Sequence, residues 1–140
     1  MKTLLTPSRD KLVAKITGQL AFLGVALKAL SQADIAEKIA TQMHRGVTAI
    51  RGALRLAESP ELEVFVYDIE DLLWLICADE LEFSPQMVAL LQTCFAALAQ
   101  GVKALQRDYP VENTIRDARD AVFSVLLDHA VTVRRYRPQT

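Results

Sequence analysis

Two histidines, His44 and His129, and two cysteines, Cys77 and Cys94, are the strongest nucleophiles and metal ligands in a chain of 140 residues. Neither cysteine has a partner at CxxC spacing and neither histidine at HxxxH spacing, so no metal site is expected, and His129 has no second ligand in reach. Both cysteines read as reduced, buried small hydrophobes. Any chemistry has to come from the stretch His44 to Trp74, HRGVTAIRGALRLAESPELEVFVYDIEDLLW. In its first half His44, Thr48, Arg51, Gly52 and Arg55 recur at spacings of three and four, which on a helix puts them on one strip. An imidazole there stands one turn from a hydroxyl, and a hydroxyl becomes a nucleophile only with a base beside it. Two guanidiniums and a glycine complete a strip that a bulky partner could approach.

Five helices are expected to position that strip. The first opens at Pro7 to Ser8, with serine as a cap, and its apolar stripe runs through Leu12, Ile16, Leu20, Leu23, Leu27 and Leu30. Gly18 and Gly24 interrupt it and suggest close helix packing. After a break at Ser31-Gln32 the second helix runs from Ala33 or Asp34 to Glu58, where Ser59-Pro60 stops it. The third spans Glu61 to Ala78, and a polar connection from Asp79 to Phe83 leads to Ser84-Pro85, cap and first position of the fourth. Val88, Leu91, Phe95, Leu98, Val102 and Leu105 line that helix until Tyr109-Pro110 breaks it near Asp108. The fifth runs from Val111 to Arg134 and buries Ile115, Ala118, Val122, Val125 and Leu126. Nothing alternates with period two for long enough to be a strand. The fold class is therefore all-α: an antiparallel up-and-down bundle with a four-helix core and the fifth helix packed alongside. One domain occupies 7–133, and 134–140, with Tyr136 among arginines, forms a basic tail that reads as a linker.

On a wheel of about 100° per residue, Ile35, Ile39, Met43, Gly46, Val47, Ile50, Ala53, Leu54 and Ala57 of the second helix share an arc of roughly 120°, its buried face. Opposite lie Glu37, Thr41, His44, Thr48, Arg51 and Arg55, with Gly52 one turn beyond Thr48. Composition narrows the partners: hydrophobic residues are 51%, charged residues 24% and the net charge is −1, which gives no general attraction to nucleic acid. The apolar run from Leu20 to Leu27, closed by Lys15 and Lys28, falls well short of the roughly 20 residues of a membrane span, and the N-terminal run is too short for a signal peptide. A cytoplasmic, membrane-free location is the expectation.

Thr48-Ala49-Ile50-Arg51-Gly52 resembles the His-x-x-Lys-Gly signature of histidine-containing phosphotransfer (Hpt) domains, in particular the N-terminal phosphotransfer domain of chemotaxis histidine kinases. In that family the histidine is the exposed phosphoacceptor, the lysine supports the phosphoryl group and the glycine leaves room for the partner. Arg51 and Gly52 stand at the lysine and glycine positions, and Thr48 stands at that of the phosphorylated histidine. Downstream, Leu62, Glu70, Leu72 and Leu73 match a family pattern in which a carboxylate and a second histidine assist the acceptor. Glu70 keeps the carboxylate and Tyr67 replaces the second histidine. The five-helix layout extends the likeness over almost the whole chain. A similar threonine-for-histidine replacement, with an IRGxL run like Ile50 to Leu54, occurs in the large chemotaxis-like kinases and related proteins of twitching motility. The resemblance implies a docking surface kept without its phosphoacceptor, since a threonine phosphate ester is far more stable than a phosphoramidate and would end a relay.

The expectation is a binding module and not an enzyme: a pseudo-phosphotransfer domain with no cofactor. It would dock a receiver domain or a histidine-kinase protein through His44, Thr48, Arg51, Gly52, Arg55, Tyr67 and Glu70. Plainer readings stand beside each residue. His44 is an ordinary surface histidine, or else an active acceptor, although Val47 and Thr48 stand where its lysine and glycine should be. Thr48 is a solvated helix residue. Arg51 and Arg55 cover a solvated face with their stems. Glu70, with Asp68 and Asp71, is an exposed charged flank paired with an arginine of the second helix, and Tyr67 and Trp74 are core-edge aromatics or interface anchors. A structural, self-associating bundle is the other class, with Val64 and Leu75 at a homodimer contact.

Overall fold

Proline sets two of the helix starts, and one repeated turn sets three of the helix ends. A computed structural model of the chain describes residues 8–30 and 36–136. Its helices are α1 Arg9–Leu30, α2 Ala36–Leu56, α3 Pro60–Cys77, α4 Pro85–Gln106 and α5 Glu112–Tyr136, and no strand occurs among the described residues. Pro60 and Pro85 open α3 and α4, where a missing N–H leaves no bond unmade. Ser8 accepts from the Lys11 backbone N–H at 3.3 Å, the cap expected of it. The expected start of the second helix at Ala33 or Asp34 lies outside the described residues, as do Pro7 and Ile35. At the other end α5 continues through Tyr136, so the first residues of the expected tail are helical.

The helix ends were not legible from proline alone. Glu58, Asp79 and Asp108 all adopt left-handed φ, at 58°, 60° and 57°. Each follows a helix with the same pair of bonds: Ser59 N–H to Leu54 O and Glu58 N–H to Arg55 O, then Glu80 to Leu75 and Asp79 to Ile76, then Tyr109 to Ala104 and Asp108 to Leu105. These are Schellman turns, which satisfy the last carbonyls of α2, α3 and α4. Glycine is the usual residue at the left-handed position, because a Cβ there is crowded by the following carbonyl. Here the position is held by an acid every time.

Short connections reverse the chain at each step, and a salt bridge of 2.5 Å from Arg9 to Asp108 ties the start of α1 to the end of α4. α1 lies against α2 and α4, and α2 against α3. α3 and α4 meet over a shorter stretch, and α5 packs on both of them. The fifth helix thus closes the side between α3 and α4. Phe65, Leu62, Ile69, Ile50, Leu91 and Ile115 are fully buried where the elements converge. Val125 and Leu126, expected in the core, are half-buried at its edge.

Two glycines set close approaches, and they are not the two on α1. A Cβ on Gly101 of α4 would stand 2.7 Å from Leu62 Cδ2 of α3 and 3.3 Å from Ile115 Cγ2 of α5, so three helices meet over its bare backbone. Gly46 does the same for α2 against Leu23 of α1, at 3.3 Å. Gly18 and Gly24, expected to mark packing, face open space instead, because α1 turns its apolar stripe to the core and both lie outside it.

The two serines that precede prolines are not equivalent. Ser84 Oγ accepts from the Met87 backbone N–H at 3.1 Å. Ser59 makes no side-chain cap, and its buried Oγ has no partner among the described residues. In denaturant titrations Ser84→Ala is expected to cost about 1 kcal/mol, and Ser59→Ala to be neutral or to stabilise by up to about 1 kcal/mol, since it removes an unsatisfied hydroxyl. Asp79→Gly is expected to stabilise by about 0.5–1 kcal/mol by relieving the left-handed backbone.

Candidate functional site

Glu70 is where α2 and α3 are joined. The residue is only 7% exposed, next in the chain to the buried Ile69, and a charged group taken out of water calls for a partner. Arg51 Nε of α2 donates to Glu70 Oε1 at 2.5 Å. The guanidinium also lies 5.5 Å from the centre of the Tyr67 ring, a cation–π contact from the next turn of α3. The hydrogen bond to Glu70 raises the Arg51 pKa above its already high ordinary value, against the effect of burial, so the cation is permanent. Arg55 Nε reaches Glu63 Oε1 at 2.8 Å two turns nearer the start of α3.

This corrects two expectations. Glu70 was expected on an exposed flank and is buried. Arg51 was expected on a solvent strip and is half-buried, its Nε held by Glu70. The likeness to a helper carboxylate for the residue at Thr48 is therefore not realised: Glu70 serves Arg51.

Thr48 does point to water. It is exposed, and its hydroxyl donates to the His44 backbone carbonyl at 2.9 Å, the local bond that helical threonines make, rather than to the His44 imidazole. His44 is half-buried with its ring 6.3 Å from that of Trp74, tilted by 54°. The base and the hydroxyl therefore do not form a nucleophile pair. Gly52 is exposed, and a Cβ built on it meets nothing within 4 Å. One turn apart, a short side chain and a bare backbone leave a shallow ledge on α2.

The α3 side of the ledge is more apolar than its sequence suggested. Val64, Tyr67 and Trp74 are each more than half exposed, Trp74 at 61%, so both aromatics stand beyond the core edge. Leu75, paired with Val64 as a dimer contact, is half-buried. Asp71, unremarked except as a neighbour of Glu70, lies between these aromatics at helical spacing. Burial and then the Glu70 charge push its carboxyl up, while His44 and Arg51 pull it back. Asp68 is likewise raised, first by burial and then by Asp71, with Arg119 of α5 opposing. The signal for Asp71 was available as the i+4 position from Tyr67.

Cys94 is buried and its thiol is pushed up to about 12 by desolvation, which leaves it unreactive. Cys77, half-buried rather than buried, stands with Sγ 3.8 Å from Thr41 Oγ1. His129 Nε2 approaches Glu80 at 3.8 Å. No group of three or more metal-binding side chains occurs among the described residues. A cleft of roughly 530 Å³ lies at the far end of the bundle, lined by Arg9, Glu58, Glu61, Asp108 and Tyr109 among others, away from Thr48. α4 is long and apolar enough by composition to cross a membrane, and Leu91, Cys94 and Leu98 of its apolar side lie in the core.

The chain matches no family model, no curated protein and no solved structure.

Arg51→Glu would face the buried Glu70 with a second carboxylate, and is expected to cost about 3 kcal/mol in a denaturant titration. The swap with Glu70→Arg is expected to recover part of that loss. Arg55→Glu, at an exposed pair, is expected to cost about 0.5 kcal/mol. Because the folded Asp68 pKa is raised, the folded state holds its proton to higher pH than the unfolded state, so stability falls as pH rises through that window. Asp68→Asn is accordingly expected to raise the melting midpoint at neutral pH and to leave it unchanged below the unfolded pKa.

Proposed function

We propose that the chain is an Hpt-like signalling module without a phosphoacceptor. It docks a receiver domain or a histidine-kinase protein of a two-component or chemotaxis-type relay through the outer side of α2 and the adjoining strip of α3. It works in the cytoplasm as a binding module and not as an enzyme. The observation that carries this reading is the ledge at Thr48 and Gly52: an exposed hydroxyl beside open backbone at the middle of a long helix, where a phosphotransfer domain would present its histidine. Arg51 supports it, as a fixed cation at the lysine position. The antiparallel helical bundle around it is the kind of scaffold the reading requires.

Thr48 gives the module its character. Phosphohistidine transfers its phosphoryl group readily to an aspartate, whereas a threonine ester formed at the same place would be a dead end. With its hydroxyl bonded to a backbone carbonyl and no base engaged, Thr48 offers a receiver shape and charge but no phosphoryl chemistry. The exposed Tyr67 and Trp74 supply the large, rigid contact area that interfaces favour.

Gly52 provides a cleaner probe than Arg51, since its surroundings are open and a side chain there leaves the core alone. Receiver and kinase domains titrated against the wild type in calorimetry are expected to include one that binds, and Gly52→Trp is expected to weaken that complex tenfold or more with an unchanged melting curve. Absence of any binder, or equal binding by Gly52→Trp, overturns the reading. Labelling with a phosphorylated receiver is expected to leave the chain unmodified. Acid-labile phosphate that disappears in His44→Ala would replace this reading with active phosphotransfer through His44.

A further inference from the structure

The outer side of α5 carries a second surface with no role in that docking. Phe123, Leu127 and Val131 are 60%, 51% and 49% exposed and follow one another at spacings of four, which stacks them along one side of the helix. α5 packs on α3 and α4 with its inner side, through Ile115, Ala118 and Val122. Three large apolar side chains in a row on the outermost helix are more than scattered surface hydrophobes, and such a row marks a contact.

The charge order along α5 says what that contact is with. Asp120 precedes the row by one turn less a residue, and Arg134 follows it at the mirror position, each seven residues from Leu127. Turned end for end about Leu127, a second α5 sets Phe123 against Val131, Leu127 against itself, and the acidic position 120 against the basic position 134. A parallel partner would instead set Asp120 against Asp120. The row is complementary to its own reverse, and antiparallel helices also align their dipoles favourably. A two-fold axis makes both halves of such a contact identical.

We propose that the chain forms a two-fold homodimer through antiparallel pairing of α5 with α5 of a second copy, centred on Leu127. A helix of 25 residues spans about 37 Å, and a pair of them with its flanks buries on the order of 1,000 Å² in total, the threshold of a specific interface. Association is therefore concentration-dependent. α2 makes no contact with α5, and the inference stands whether or not the Thr48 ledge docks a receiver.

Sedimentation equilibrium over a concentration series is expected to show the 15.6 kDa chain passing to twice that mass, and Leu127→Glu to remain monomeric with an unchanged helical spectrum. Asp120→Arg is expected to weaken the dimer at least fivefold, and Asp120→Arg with Arg134→Asp to restore it. In a Cys77→Ser background, L127C is expected to form a disulfide with itself. F123C and V131C are expected to link only when mixed. A monomer at every concentration, a dimer indifferent to Leu127→Glu, or self-linking by F123C overturns the proposal.

Discussion

One ion pair sets the seam on which the presented face depends. A carboxylate at Glu70, its side chain 9% exposed, is tolerable because Arg51 reaches it from the neighbouring helix. That bond fixes the register of α2 against α3. With Arg51 held at the seam, the residues one turn to either side follow by helical geometry, and Thr48 and Gly52 are carried outward. Tyr67, its ring centre 5.5 Å from the same guanidinium, adds a cation–π contact to the pair.

The surface built around this seam is graded rather than uniform. A tethered cation lies at its centre, bare backbone and a short hydroxyl on one side, and exposed aromatics on the other, with raised carboxyls at Asp68 and Asp71 beneath. Shape and charge are both preorganised, since the principal side chains are locked by internal partners before anything binds. His44 and Thr48 share this surface without engaging each other, since the hydroxyl is spent on the His44 backbone carbonyl.

Most of the fold could be read from residue order, because its causes are local. Apolar spacing on α2 named the buried Met43, Val47, Ile50 and Leu54, and Pro60 and Pro85 marked helix starts by a rule confined to one turn. What escaped was tertiary. Whether Glu70 is exposed depends on which residue of another helix it meets, and whether Gly18 or Gly101 is a contact depends on how three helices converge. The left-handed acids Glu58, Asp79 and Asp108 escaped for another reason: with no glycine at those places the usual mark of the turn is missing. The apolar row on α5 is not legible from spacing alone, because Val125 and Leu126 point the apolar side inward and Phe123 and Leu127 stand on either side of them.

An odd number of helices among the described residues has a mechanical corollary. α1 begins beside Asp108 at one pole of the bundle, and α5 passes Glu80 on its way to the other. Polypeptide attached at the two ends would be held apart by the length of a helix, about 35 Å, instead of side by side. A fold of this parity sets its first and last described helix ends at opposite poles, where an even-numbered bundle would set both at one.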